Sequence, residues 1–238
     1  MNMIGPGINM QQSLIYFRYF LYLAWHWSLP LAWFIIRHEI KGEKKYNHFS
    51  CGIDDLTNSV SANDRLHASL YQPVNFYTAE KLFALLPDKY PRNVLLDAGC
   101  GKGRVIAMAA HYGFGKMIGF DISPQLCMQA IDTLSVVAKQ YPGTSINIDV
   151  ADAADYEMED DVDTIFIFNP FDNHIMKPFV GAVMQSIARR QRHISVMYAN
   201  PVHKQTWIDA GFMELHHFQK MQWLEGSILT WSPAKRPD

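Results

Sequence analysis

The sequence predicts an α/β fold, a doubly wound parallel sheet with helices on both faces, and three observations carry that prediction. Short apolar runs that suit strands covered on both sides alternate with longer stretches of helix formers. Two of those runs end in a carboxylate, Asp97 and Asp121, and a third runs into Asn169. The first is followed by three alternating glycines, Gly99, Gly101 and Gly103, before helix signals resume.

The run VLLDAGCGKGRV at 94–105 opens the sheet. Val94, Leu95 and Leu96 form the strand, and Asp97 stands at its carboxyl end, the edge of an open α/β sheet where ligands bind. The glycines remove Cβ atoms where the backbone turns tightly and a ligand lies against it. Cys100 packs inside that turn, and an Ala-rich helix follows over 104–112. Spacing and charge choose the ligand. The dinucleotide fingerprint is G-x-G-x-x-G and the P-loop is G-x-x-x-x-G-K-[ST], whereas this turn reads G-x-G-x-G behind a carboxylate. Asp97 repels phosphate and attracts the ammonium of a methionine-like ligand, which favours S-adenosyl-L-methionine over a nicotinamide dinucleotide or a mere tight turn.

A second strand is expected over 116–120, with Asp121 at its end to accept two hydrogen bonds from a ribose diol and Ile122 to lie on a purine face. Ser123 and Pro124 then open a helix as N-cap and first-turn proline. The alternating Ile146, Ile148 and Val150 mark a third strand over 145–150. In the acidic segment after it, Asp152 is placed to accept from an adenine amino group and the Ala153 backbone to meet a ring nitrogen; a solvated acidic loop is the plainer alternative. The fourth strand, 164–168, leads into Asn169, Pro170 and Phe171. An Asn carboxamide oxygen there accepts from an amine or amide nitrogen and steers its lone pair, and Phe171 walls the pocket or stacks on a planar substrate. A turn initiator followed by a core aromatic is the competing reading.

Residues 71–231 resemble a class I S-adenosylmethionine-dependent methyltransferase, with DAGCGKGRV, GFDIS, DVADAAD and FIFNPF as its motifs. The resemblance implies a Rossmann-like seven-stranded sheet of order 3-2-1-4-5-7-6 with an antiparallel last strand. The fifth strand then falls at 193–199, a helix at 201–210, and the closing hairpin at 212–218 and 227–231. GCGKGR with a single-proline NPF also resembles a group of small bacterial methyltransferases, in which a Tyr-x-Pro segment closes over the donor. Here that segment is Tyr71, Gln72, Pro73, followed by Val74 where the group has a small hydroxyl residue. The [DN]PP[FY] motif of amino-methylating enzymes is matched except for its second proline, so N-methylation of a protein or small molecule is the favoured reaction. A silent donor-binding or membrane scaffold module, and a NAD-dependent oxidoreductase, are the other classes. The oxidoreductase lacks its third glycine and a catalytic Tyr and Lys.

The chain has 238 residues, exceeding one such domain by an N-terminal extension. A net charge of −2 gives no broad footprint for nucleic acid. Cys51, Cys100 and Cys127 form no CxxC pair, which fits a cytoplasmic protein, and no His cluster has metal spacing. We divide the chain into an apolar helical extension at 1–43, a linker or flap at 44–70 and the methyltransferase-like domain at 71–238. Residues 19–36, YFLYLAWHWSLPLAWFII, carry no formal charge. As one helix they span about 27 Å, close to a bilayer's hydrocarbon thickness. Pro30 and the three internal tryptophans argue against a span, which stays open for this segment beside a helix lying in the membrane interface, docking on the domain or a dimer contact.

Overall fold

The computed structural model describes residues 10–51, 72–168 and 172–233. Helices α1 (Met10–His26), α2 (Leu29–Tyr46) and α3 (Phe76–Leu85) precede β1 (Val94–Ala98), α4 (Arg104–His111), β2 (Lys116–Asp121), α5 (Pro124–Gln140) and β3 (Ser145–Val150). Then follow β4 (Thr164–Phe168), α6 (Asn173–Arg189), β5 (Ile194–Ala199), α7 (Lys204–Asp209), β6 (Met213–Lys220) and β7 (Leu224–Trp231). The seven strands form one sheet of order β3-β2-β1-β4-β5-β7-β6. Strands β1 to β5 pair in parallel, and β7 is antiparallel to both its neighbours. This is the expected order, with the expected reversed last strand.

Both faces of the sheet are covered. Leu95, Met117, Phe166 and Ile228 meet α3, α4 and α5 on one side. Leu96, Ile118, Ile165 and Val196 meet α6 and α7 on the other, around the fully buried Trp207. Continuous apolar strands follow from that two-sided burial, whereas the edge strands β3 and β6 are largely exposed. Strand order reverses beside β1, whose neighbours are β2 and β4. The carboxyl ends of these strands therefore flank the crevice where α/β sheets bind ligands.

The extension departs from a single 19–36 helix. It breaks at Trp27, and Ser28 caps α2 by accepting from the Leu31 N–H at 3.3 Å, with Pro30 in the first turn. Ser-Leu-Pro is an N-cap followed by a first-turn proline, a start signal inside the apolar run. The two helices pack as a hairpin around Tyr16, Tyr19, Leu23, Leu31 and Ile35, closed by Leu224 of β7 and Cys51. Among the described residues no helix is long and apolar enough to cross a membrane. Helix α2 continues through Tyr46 and ends at Asn47, which takes the left-handed conformation.

Candidate functional site

The glycine turn begins where β1 ends. Gly99, Gly101 and Gly103 all have positive φ, at 77°, 53° and 80°, a conformation that side-chain-bearing residues rarely hold. The N–H groups of Gly99 and Cys100 both donate to the Phe120 carbonyl, at 3.0 and 2.8 Å, which stitches the turn to β2. Cys100 is buried against Gly119, where a Cβ would lie 2.9 Å from the Cys100 Cβ. The turn can sit this low on the sheet because β2 carries a glycine beneath it.

Asp97 pairs in register with Gly119 of β2 and with Phe166 of β4. It is 3% exposed, and its carboxylate takes no hydrogen bond among the described residues. Burial pushes its carboxyl well above the usual carboxylate range, and the neighbouring Asp121 adds repulsion. Leaving a buried carboxylate without a donor costs free energy. A ligand cation with N–H groups supplies what the protein omits.

Asp121 is the last residue of β2 and is differently placed. Its Oδ2 accepts from the Gly101 N–H and its Oδ1 from the Ser123 N–H, both at 2.9 Å. Burial raises its pKa and these backbone donors partly offset the rise. Each oxygen keeps a second lone pair, so a diol remains an acceptable partner. Ser123 caps α5 through the Leu126 N–H at 3.3 Å, and Ile122 beside it is half-buried.

After β3, Asp152 turns its Oδ1 onto the Ala154 N–H at 2.9 Å, an Asx turn that fixes the loop, while Ala153 is buried. Tyr156 stacks on Phe120 with ring centroids 4.1 Å apart. Backbone contacts thus connect the first three loops: β1 to β2 through the Phe120 carbonyl and Asp121, and β2 to β3 through the Ala151 N–H on the Asp121 carbonyl at 3.1 Å. Of the residues singled out in the sequence, Asp97, Gly99, Cys100, Gly101, Gly103, Asp121, Ile122, Asp152 and Ala153 lie on these three loops or the strand ends that lead into them. Tyr71, Asn169, Pro170 and Phe171 fall outside the described residues.

Sequence reasoning missed the other side of the glycine turn. Arg104, the first residue of α4, is 3% exposed and forms a two-pronged ion pair with Glu39 of α2, Nη1 to Oε1 at 2.9 Å and Nη2 to Oε2 at 2.7 Å. Its Nε donates to Ser50 Oγ at 2.8 Å and its Nη1 to the Val74 carbonyl at 2.6 Å. The guanidinium also lies 4.1 Å over the Phe76 ring. Gly42 of α2 admits that ring, since a Cβ there would be 2.1 Å from Phe76 Cγ. Glu43, one turn beyond Glu39, accepts from Tyr16 and from the Ser50 and Cys51 N–H groups at 3.0 and 2.7 Å.

Glu39, Glu43 and Cys51 bring metal-type ligand atoms within 4.8 Å of one another, but the cation that both carboxylates face is Arg104. One signal for this latch was legible: an arginine in the first turn of a helix opposes the macrodipole and calls for an acidic partner. The partner, 65 positions away, was not.

His48 is buried at the same seam, facing the Lys102 backbone of the glycine turn and Arg104. Its ring pKa is pushed down to about 4 by burial, with Arg104 adding to the shift.

Residues 95–193 match the family model described as a methyltransferase domain. The fold is the Rossmann-like methyltransferase fold. A proposed RNA methyltransferase from Pyrococcus horikoshii superposes with a TM-score of 0.51 at 16% identity, covering 69% of this chain and 88% of that one. The magnesium protoporphyrin IX methyltransferase of Synechocystis, solved with S-adenosylmethionine, gives 0.48 at 18% identity over 65% and 77% of the two chains. The tRNA (uracil-54, C5)-methyltransferase of Pyrococcus abyssi, in complex with S-adenosyl-L-homocysteine, gives 0.49 at 16% over 68% and 40%. No curated protein matches the chain. The matched span runs from β1 to the residue before β5, so it contains all three described ligand-side loops.

Proposed function

We propose that this chain is an S-adenosylmethionine-dependent methyltransferase that N-methylates an amino or amide nitrogen of a protein or small molecule. The observation that carries the reading is Asp97, a buried carboxylate without a hydrogen-bond donor among the described residues, at the carboxyl end of β1 and directly before a turn of positive-φ glycines. An α-ammonium fits that carboxylate. The glycines let a ligand lie against the main chain, Asp121 takes a ribose diol, and Ile122, Asp152 and Ala153 meet an adenine. Gly99, Gly101 and Gly103 shape the cradle, Cys100 anchors it, and Tyr71 closes over the donor.

The donor supplies an activated methyl group on a sulfonium. A neutral amine then needs little acid or base help, and the chain's own task is orientation. Held in line at near-attack distance, the acceptor gains most of the rate from lost translational freedom already being spent in binding. Asn169 accepts a hydrogen bond from the acceptor N–H, fixing its lone pair, while Pro170 and Phe171 wall the pocket. A cytoplasmic setting belongs to the same reading, supported by three buried cysteines not joined in disulfides, Cys51, Cys100 and Cys127.

The test is transfer of labelled methyl groups into a lysate fractionated into protein, nucleic acid, lipid and small molecules, beside direct titration of the donor. We expect label in protein or small molecules. Asp97→Asn weakens donor binding by about tenfold or more, the worth of a charge-assisted hydrogen bond. Asn169→Ala lowers turnover while donor affinity is kept. Equal loss of both in Asn169→Ala refutes the role of Asn169. Donor binding without label in any fraction makes the chain a silent donor-binding module, and no donor binding at all overturns the proposal.

A further inference from the structure

The N-terminal hairpin leaves an apolar face uncovered among the described residues. On α1, Met10, Leu14, Phe17, Leu21 and Trp25 recur every three or four residues, on a stripe opposite the buried Tyr16, Tyr19 and Leu23. Trp25 is 89% exposed. Across the turn, Leu29 and Trp33 begin the outer row of α2, with Trp33 68% exposed. Arg37 and Lys41 continue that row at four-residue spacing. Large apolar side chains gathered in this way, rather than scattered singly, mark an interaction surface.

Charge decides what covers it. The acidic residues of the hairpin, Glu39 and Glu43, are both buried against Arg104, so every formal charge exposed on α1 and α2 is positive. Of Arg18, Arg37, Lys41, Lys44 and Lys45, only Lys45 has an ion-pair partner among the described residues, Glu80 at 2.8 Å. The chain as a whole carries −2, which makes this a local concentration of cations. A second copy seated on the same face by two-fold symmetry brings like charges together. An anionic lipid surface satisfies both features at once: Trp, Phe and Leu enter the headgroup–acyl boundary while Lys and Arg meet the phosphates.

We infer that the α1–α2 hairpin docks the protein on an anionic bilayer surface without crossing it, entering by the side chains that flank the turn, Trp25, Leu29 and Trp33, with Arg18, Arg37 and Lys41 on the headgroups. The inference is independent of the methyl-transfer reading, because its test reads binding alone.

The full chain is floated with phosphatidylcholine vesicles, with and without phosphatidylglycerol, at low and high salt. We expect partition onto the phosphatidylglycerol vesicles, weakened by salt. Trp25→Ser with Trp33→Ser should cut the partition coefficient by about tenfold or more. Arg37→Gln with Lys41→Gln should cut it by about fivefold per cation, and only on the anionic vesicles. These side chains are exposed, so melting curves of the variants should overlay that of the parent. Absence of partition, or partition that neither pair of substitutions reduces, overturns the inference. So does a lipid-free dimer, seen by light scattering, that Trp25→Ser and Trp33→Ser dissociate, since the face then belongs to a second copy.

Discussion

Removing the Glu39 carboxylate isolates the ion pair that joins the N-terminal hairpin to the glycine turn. In Glu39→Ala the Arg104 guanidinium stays buried, holding hydrogen bonds to Ser50 Oγ at 2.8 Å and the Val74 carbonyl at 2.6 Å. Its remaining carboxylate is Glu43 at 3.9 Å, a weaker partner than Glu39, whose two oxygens sit 2.9 and 2.7 Å from the guanidinium. Truncating one side of a buried pair costs about 3–5 kcal/mol, and Glu43 places this case near ~3. For a chain of this size each kcal/mol moves Tm by about 2–4 °C, so a fall of roughly 6–12 °C is expected. Glu39→Met with Arg104→Met strands no charge and roughly conserves volume, so the pair of changes should cost about 1 kcal/mol or less. Urea unfolding followed by far-ultraviolet circular dichroism, on Glu39→Met, Arg104→Met and the double, completes the cycle. A Glu39→Ala loss below about 1 kcal/mol, or a double variant as unstable as the sum of the singles, refutes the account of the latch.

Two further outcomes follow from the same seam. Gly119→Ala places a Cβ 2.9 Å from both Cys100 Cβ and Ile148 Cδ1, so the glycine turn must rise or β3 must move; donor affinity measured by calorimetry should fall together with about 1–3 kcal/mol of stability. His48 titrates at about 4 in the folded chain against 6.5 when exposed, so the unfolded chain binds the extra proton between those values and stability drops as pH falls through that window. The loss amounts to about 3 kcal/mol across the window, and His48→Phe, having no proton to bind, should flatten the pH profile of the urea midpoint between pH 6.5 and 4.

Much of the ligand side was legible because its signals are local. A strand, a carboxylate at its end and a turn built from glycines are neighbours in sequence, and the structure keeps them neighbours in space: Asp97, Gly101 and Asp121 lie within one hydrogen-bonded pair of loops. The sheet order followed from the resemblance, and it held because β1, β2, β4 and β5 are apolar strands that need cover on both faces. The N-terminal region was harder for a physical reason. Charge-free composition over 19–36 describes a membrane helix and a docked hairpin equally well, and Pro30, the internal tryptophans and the Ser28 cap are what separate them. Glu39 and Glu43 carry no local sign of their burial, since the guanidinium they face is contributed by α4.

Arg104 explains why the hairpin belongs to the domain rather than hanging from it. A cation at the start of α4 meets the positive end of the helix dipole, and at 3% exposure it is poorly screened by solvent. That position is tenable only while Glu39 sits against it, and Glu39 reaches it because Gly42 lets Phe76 and α2 close up. Burying Leu31 and Ile35 supplies about 1.5–3 kcal/mol each toward dehydrating the pair. Helix α2 therefore sorts its charges by face, with acids turned inward onto Arg104 and bases turned outward. One helix fixes the residue that follows the glycine turn and presents the cations of the outer surface, so displacing α2 should disturb both together.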